Sequence, residues 1–265
     1  VTTVAAIQEF IPSVGDAWSW VTERVGDRSQ RSGTVDAARL LGRRTAEMHV
    51  AFATGRADRF VPEVATGAYA EAVRAEARAE LQDTVEQLAR RGVGGTAALG
   101  AGLESSLDAL VDLEGTMITR IHGDYHLGQV LRTADDDFAI LDFEGEPSRS
   151  LAERRAKASP LRDVAGMLRS FDYAAETARR ATDPAQIGDI GSWYMDSRLA
   201  YLEGYDDVAR ENSVLMRGWE PGARSAVLAA LEVHKALYEV RYELSNRPDW
   251  LEIPLNALRR LAEAA

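Results

Sequence analysis

Two short stretches of this 265-residue chain concentrate side chains able to do chemistry: His122-Gly123-Asp124-Tyr125-His126-Leu127-Gly128-Gln129 and Leu141-Asp142-Phe143-Glu144-Gly145-Glu146. Both border β-favouring residues, so both read as loops at the ends of short strands, where rigid neighbours can hold reactive groups in place. Asp124 and Asp142 then suggest a division of labour. One carboxylate takes the proton of a hydroxyl, and the other holds a divalent cation against phosphate oxygens. Phosphoryl transfer needs that arrangement, because its loose transition state calls for positioning, charge neutralisation and a weak base. The same residues allow a second chemistry, since two imidazoles four apart beside a carboxylate (His122, His126, Asp124) suit the zinc of a hydrolase. His49 and His234 are the only other histidines.

The elements that must position these loops are mostly helical. Val35–Phe52 carries apolar residues at helical spacing, and Ala68–Arg91 is an Ala, Glu and Arg helix with Leu81, Val85 and Leu88 as its stripe. The glycine-rich run 92–102 follows a helix and lacks a Gly-Lys-Ser/Thr ending, so it reads as a helix end and flexible connection, not a phosphate loop. A small β island lies between Met117 and Gly145: Met117–Ile121, Val130-Leu131, a polar turn at Thr133–Asp137, and Phe138–Phe143. Helical pattern returns from Pro160, through Trp193–Tyr205 and Ser225–Leu244, until Arg247-Pro248-Asp249-Trp250 breaks it before a last short helix. The opening Val1–Ile11 is strand-like and stops at Pro12.

Composition removes several classes of function. A formal charge of −11 is poor footing for a grip on nucleic acid or anionic lipid, which depends on clustered Lys and Arg. No apolar run approaches the ~18 residues of a membrane span, and there is no cysteine for a disulfide or a thiolate; the chain reads as cytoplasmic. Of 31 basic residues only Lys157 and Lys235 are lysines.

His122-Gly123-Asp124, then Gln129, then Asp142-Phe143-Glu144 resembles the catalytic loop and metal segment of the protein-kinase-like fold in its aminoglycoside-phosphotransferase-like branch, with Gly123, Gln129 and Glu144 as departures from the protein-kinase pattern. The wider text HGDYHLGQVL, ILDFEGEPSRSLAERRAKASPLRDVAGMLRSFDYAA and KALYEVRYELSNRPDWLEIPLNAL is similar to the maltokinase family, in particular the kinase portion of trehalose synthase/maltokinase fusions, and IQEFIPSVGDAWSW is similar to that family's hinge.

The resemblance implies an α+β, mostly α chain equivalent to the C-terminal lobe of such a kinase, with a small central β hairpin region. Residues 1–12 would be a hinge strand and linker, and 13–265 the helical lobe, with catalytic loop 122–129 and metal segment 141–146. The implied activity is ATP- and Mg²⁺-dependent phosphorylation of maltose to maltose 1-phosphate in trehalose and α-glucan metabolism, with a trehalose synthase as fused or associated partner. Glucosamine or an aminoglycoside is the alternative acceptor, and a non-catalytic sugar-binding lobe the alternative of another class. Asp124 would be the base, Gln129, Asp142 and Glu144 the Mg²⁺ ligands, and Gln8, Glu9, Phe10 and Ile11 the hinge against adenine. Gln can still give a cation its carbonyl oxygen. His126, Tyr238, Glu239, Tyr242 and Trp250 would form the sugar wall, carboxylates meeting hydroxyls and aromatic faces meeting C–H surfaces.

Kinases of this fold grip the phosphates with a glycine-rich hairpin and a strand lysine that precede the hinge. Neither is present before Lys157, which leads to the expectation of an absent N-terminal lobe and weak transfer by this chain alone. Among the remaining residues, His122 is expected to brace its loop. Asp163 either complements a helix dipole or braces the catalytic loop. Arg154 and Arg155 form a solvated turn or neutralise phosphate. Trp18, Trp20, Trp193 and Trp219 are core or interface aromatics, and Asp135–Asp137 a solvent-facing turn.

Overall fold

A computed structural model describes residues 10–55, 57–147, 149–181 and 187–263. Helices dominate. Strand β1 (Ser13–Asp16) leads into α1 (Ala17–Val25), whose first turn is closed by Asp16 accepting from the Ser19 amide at 2.8 Å. Then come α2 (Arg31–Thr54), β2 (Glu63–Val64), α3 (Gly67–Arg90, capped by Thr66) and α4 (Thr96–Asp108). The β island supplies β3 (Met117–Ile118), β4 (Val130–Thr133) and β5 (Phe138–Ile140), and the chain closes with α5 (Leu151–Arg155), α6 (Leu161–Ala181), α7 (Ile187–Ala209), α8 (Ala223–Asn246) and α9 (Glu252–Glu263). Within the described residues no helix is long and apolar enough to cross a membrane.

The mostly helical lobe with a central hairpin is therefore present, with three local corrections. Among the described residues the first strand follows Pro12, and Phe10 and Ile11 lie in no strand; the rest of the strand expected over Val1–Ile11 falls on residues 1–9, outside the described residues. The glycine-rich run is connection only as far as Gly95 (φ 76°), after which residues 96–102 are helix. Strand β5 stops at Ile140, because Asp142 takes a left-handed conformation (φ 58°) that no strand can continue through.

Strands β1, β4 and β5 form one antiparallel sheet in the order β1-β4-β5, and β2 pairs with β3 in a second. Asp136 (φ 62°) turns the β4–β5 hairpin, and Arg44 of α2 clamps it by donating to both oxygens of Asp137 at 2.7 and 2.6 Å. Asp137 is thus half-buried and paired; only Asp135 and Asp136 of that run are exposed.

One apolar core joins α1 to α9, with Tyr201, Tyr205, Phe171, Met167 and a set of leucines fully buried. Trp193 is buried and donates to Thr34 at 2.7 Å, while Trp18, Trp20 and Trp219 lie half-buried against the core. Helices α2 and α7 touch backbone to backbone. A Cβ on Gly42 would stand 2.0 Å from the Tyr201 carbonyl oxygen, and one on Gly204 2.0 Å from that of Arg39.

Candidate functional site

The loop of residues 122–129 hangs from one carboxylate. Asp163, in the first turn of α6 and 2% exposed, accepts from the backbone amides of His122 (2.7 Å) and Gly123 (2.9 Å). His49 of α2 reaches the same carboxylate at 3.0 Å, and its other ring nitrogen meets the Tyr205 hydroxyl at 2.9 Å. Burial pushes the Asp163 carboxyl up, but the bond to His49, its charge and that of His122, and the Gly123 amide together hold it below the usual aspartate range. The two alternatives for Asp163 resolve as one: it opens its helix and braces the loop. Ser170 of α6 adds a further tie, accepting from the Leu127 amide at 3.1 Å.

His122 joins the two loops. Its Nε2 donates to the Leu141 carbonyl at 2.7 Å, which leaves Nδ1 to accept from the Asp124 amide at 3.4 Å, and its ring packs against Phe143. His126 turns its Nδ1 to the Gly128 amide at 3.1 Å. Both imidazoles thus serve the loop, and no zinc cluster forms with Asp124. Among the described residues, the grouping of three such ligands within reach of one ion is Glu76, Glu80 and His234, which Arg149 and Arg241 already neutralise. The loops approach so closely that a Cβ on Gly123 (φ 87°) would lie 3.3 Å from the Gly145 Cα.

Gln129 and Asp142 meet on the open side. The Gln129 amide nitrogen donates to Asp142 Oδ2 at 3.2 Å, and the Leu141 amide donates to the Gln129 carbonyl at 2.9 Å. Asp142 and Glu144 are exposed. The Gln129 carboxamide and the Asp142 carboxylate are the kind of oxygen donors suited to Mg²⁺, which keeps waters and takes few protein ligands, while Glu144 makes no hydrogen bond with either. The left-handed backbone at Asp142 aims its carboxylate at Gln129, and such strain in a non-glycine residue is concentrated at functional positions.

Asp124 stands where two cavities meet. The larger is a groove of about 950 Å³ running to Tyr173, Tyr242 and Trp250, with Asp16 and Trp18 on its opposite bank. The smaller, of about 60 Å³, reaches back to Arg149, Arg162 and His234. Glu146, Lys235 and Tyr238 border both. Burial raises the Asp124 carboxyl above its ordinary value, with Lys235 pulling it down and Glu146 pushing it up. Burial lowers the neighbouring His126, opposed by Asp124.

The sequence-selected sugar-wall residues His126, Tyr238, Glu239, Tyr242 and Trp250 all line the large groove, four of them on or just after α8. Tyr238 and Tyr242 stack at 6.4 Å, as do Tyr173 and Trp250. Glu239 is held from behind: fully buried Arg169 donates to it at 2.9 Å and to Asp172 at 2.5 Å. Burial nevertheless raises the Glu239 carboxyl, with Arg169 opposing. Glu243 receives the Tyr173 hydroxyl at 3.0 Å and both arms of Arg247 at 2.9 and 2.7 Å. Of the hinge residues, Phe10 is 85% exposed, and Gln8 and Glu9 lie outside the described residues. Arg154 and Arg155 end α5, and the Arg154 carbonyl accepts from Arg120. The sequence reading gives no site role to Lys235, Tyr173 or Arg169, and names Glu146 only as the end of segment 141–146. A lysine in a chain with two of them was the one available signal.

The profile of the phosphotransferase enzyme family (APH) matches residues 3–194. A glucosamine kinase of Mycolicibacterium smegmatis is 32% identical over 99% of this chain, and one of Streptacidiphilus jiangxiensis is 30% identical over 95%. The chain spans 63% and 56% of the lengths of these two relatives. Among solved structures, a glucosamine kinase superposes with a TM-score of 0.84 at 25% identity, covering 96% of this chain and 60% of that one. A glucosamine kinase in complex with glucosamine, ADP and inorganic phosphate gives 0.83 at 25% identity, covering 95% and 58%. These likenesses overturn the expectation of a maltokinase, and with it the basis for maltose and a trehalose synthase as partners. The match extends through both carboxylate loops, and the chain belongs to the phosphotransferase enzyme family.

Proposed function

We propose that this chain serves an ATP- and Mg²⁺-dependent kinase of amino sugars, transferring the γ-phosphoryl group of ATP to a hydroxyl of glucosamine. The observation that carries this reading is the position of Asp124, half-buried at the foot of an aromatic and acidic groove, on a loop fastened to the one that bears Asp142. Asp124 receives the hydroxyl proton. Gln129, Asp142 and Glu144 hold Mg²⁺, which when bound neutralises phosphate charge. The sugar lies against His126, Tyr238, Glu239, Tyr242 and Trp250, and adenine against the hinge at Gln8, Glu9, Phe10 and Ile11. Residues 13–265 are the acceptor-side lobe. The solved relative titled as a complex with glucosamine, ADP and inorganic phosphate supports these ligands for the same fold.

The chemistry asks little of each group. The loose transition state needs a carboxylate within reach of the hydroxyl, a cation between the phosphates and an acceptor held in line, and these contributions are mainly orientation and electrostatics. A second acceptor, an aminoglycoside bearing an amino-sugar ring, is favoured by the size of the groove, about 950 Å³, and by the aromatic wall that continues to Trp250.

The test is coupled ADP release with ATP·Mg²⁺ and glucosamine, glucose or kanamycin. Turnover strongest with glucosamine supports the reading. Turnover with kanamycin alone moves it to the second acceptor, and turnover with none of the three removes it.

A further inference from the structure

Lys235 is one of two lysines in a chain whose other 29 formal cations are arginines, the total being 31. The other, Lys157, pairs with Glu63 at the exposed β2 strand, outside both cavities. Lys235 points from α8 to the junction of the two cavities, beside Asp124. Its ammonium lies 3.7 Å from Glu146 Oε2 and 4.7 Å from the centroid of the Tyr238 ring. Tyr238 in turn donates to the other Glu146 oxygen at 2.9 Å, so Glu146 and Tyr238 fix the lysine head from two sides. Its side chain remains 31% exposed, enough to meet a bound acceptor.

The titratable and charged groups around Asp124 are His122 and His126 from its own loop, Glu146 from segment 141–146, Lys235 and His234 from α8, and, across the small cavity, Glu80 of α3, Asp163 and Arg162 of α6, and Arg149. Among the described residues Lys235 is the cation bordering both cavities, and its charge favours the ionised Asp124.

We propose that Lys235, pinned by Glu146 and Tyr238, is a positioning residue for the transfer: it keeps the Asp124 carboxylate ionised and turns a cationic amino group of the acceptor away from the reacting end of the groove. The inference rests on the kinase reading for its second half and, for its first, on the cavities that Lys235 and Asp124 line together and on the contacts that pin the lysine head. An ammonium next to the base repels a second ammonium, so an amino sugar binds with its amine directed away from Lys235, while a neutral sugar is indifferent to the lysine.

The experiment compares the parent protein with Lys235→Met, Lys235→Arg and Glu146→Gln by two readouts. The first follows the Asp124 carboxyl carbon through a pH titration by NMR, with no substrate. In Lys235→Met the midpoint rises by about one pH unit, and in Lys235→Arg it stays near the parent value. The second is the ratio of kcat/KM for glucosamine to that for glucose, which rises about threefold to tenfold in Lys235→Met and is restored in Lys235→Arg, with Glu146→Gln between them. An unmoved Asp124 midpoint in a folded Lys235→Met overturns the inference whether or not the protein is a kinase. A moved midpoint with an unmoved ratio overturns the acceptor half. Absence of turnover in the parent protein counts against the kinase reading and leaves the NMR readout to decide the role of Lys235.

Discussion

Gln129 and Asp142 meet side chain to side chain at 3.2 Å, although they lie on different loops and Asp142 must adopt a left-handed backbone to reach the contact. An amide that donates to a carboxylate in this way can rotate to offer its oxygen to a cation shared between them. Asp142→Asn should therefore lower kcat by about two to three orders of magnitude, a few kcal/mol of transition-state stabilisation. Gln129→Ala should act mainly by raising the Mg²⁺ concentration needed for half-maximal rate. A magnesium titration of both variants separates the two, and equal magnesium requirements would remove Gln129 from the cation site.

Asp124 carries a cost to the fold that the proposed role as base explains. Its carboxyl is raised above the ordinary value of 3.8, so the folded protein holds that proton more tightly than the unfolded chain. Stability from this group accordingly declines as pH rises from 3.8 through the higher folded-state value, and then levels. Asp124→Asn should lose about a hundredfold or more in kcat, yet melt at a higher temperature than the parent at pH 7 and lose that advantage at acid pH. Melting curves across pH 3 to 8 check the sign.

Asp163 has the opposite signature. Its depressed carboxyl contributes stability that is present above pH 3.8 and lost as pH falls through the lower folded-state value. Asp163→Asn leaves two backbone amides and His49 facing a neutral group, and should cost about 3 kcal/mol at neutral pH. Urea unfolding at pH 7 should show that deficit, and it should shrink in acid. The loss of activity should exceed the loss of folded protein, because the catalytic loop loses its anchor.

Gly42 and Gly204 permit the contact between α2 and α7. Alanine at either would place a methyl 2.0 Å from a backbone oxygen, which no side-chain rotation relieves. Each substitution should destabilise by about 3 kcal/mol or more, while Gly33→Ala on α2, where nothing approaches, should be neutral or slightly stabilising. Thermal denaturation of the three variants is the measurement.

Arg169 holds two carboxylates behind the acceptor wall. Arg169→Met strands Glu239 and Asp172 without their buried cation, although Arg260 still reaches Asp172 at 2.7 Å. A cost of about 3 kcal/mol follows, together with a raised KM for the sugar, since Glu239 loses the partner that orients it. Glu239→Gln should cost less stability, because Arg169 keeps Asp172. Comparing KM changes with unfolding free energies for the two variants tests the order.

Periodicity made α2, α3, α6, α7 and α8 legible, because each buries one stripe and punctuation such as Pro160 and Arg247-Pro248 marks the ends. Helix α4 was hidden by its own glycines. Gly100 and Gly102 weaken the helical pattern, but their bare faces let Val85 and Ala262 approach to 3.2 and 3.1 Å of where a Cβ would be. The FAILDF strand was overlong because apolar residues alone do not reveal that Asp142 reverses the backbone. The two carboxylate loops could be read from local order, whereas Lys235, Glu146 and Arg169 become part of the site only through tertiary approach. Acceptor identity was misjudged for a related reason. The stretches most like a maltokinase include the two carboxylate loops, which lie within the match to the broader phosphotransferase family and so do not single out one acceptor.

The wall of the groove and the floor of the groove belong to distant parts of the polypeptide, α8 with Trp250 on one side and residues 122–146 on the other. During synthesis a ribosome releases the reactive carboxylates well before the segment that encloses them. Until the last helices dock, the nascent protein carries Asp124 and Asp142 in open water with no cleft to close around a hydroxyl. The order of emergence thus leaves these acids without an enclosing groove until α8 and Trp250 have been made.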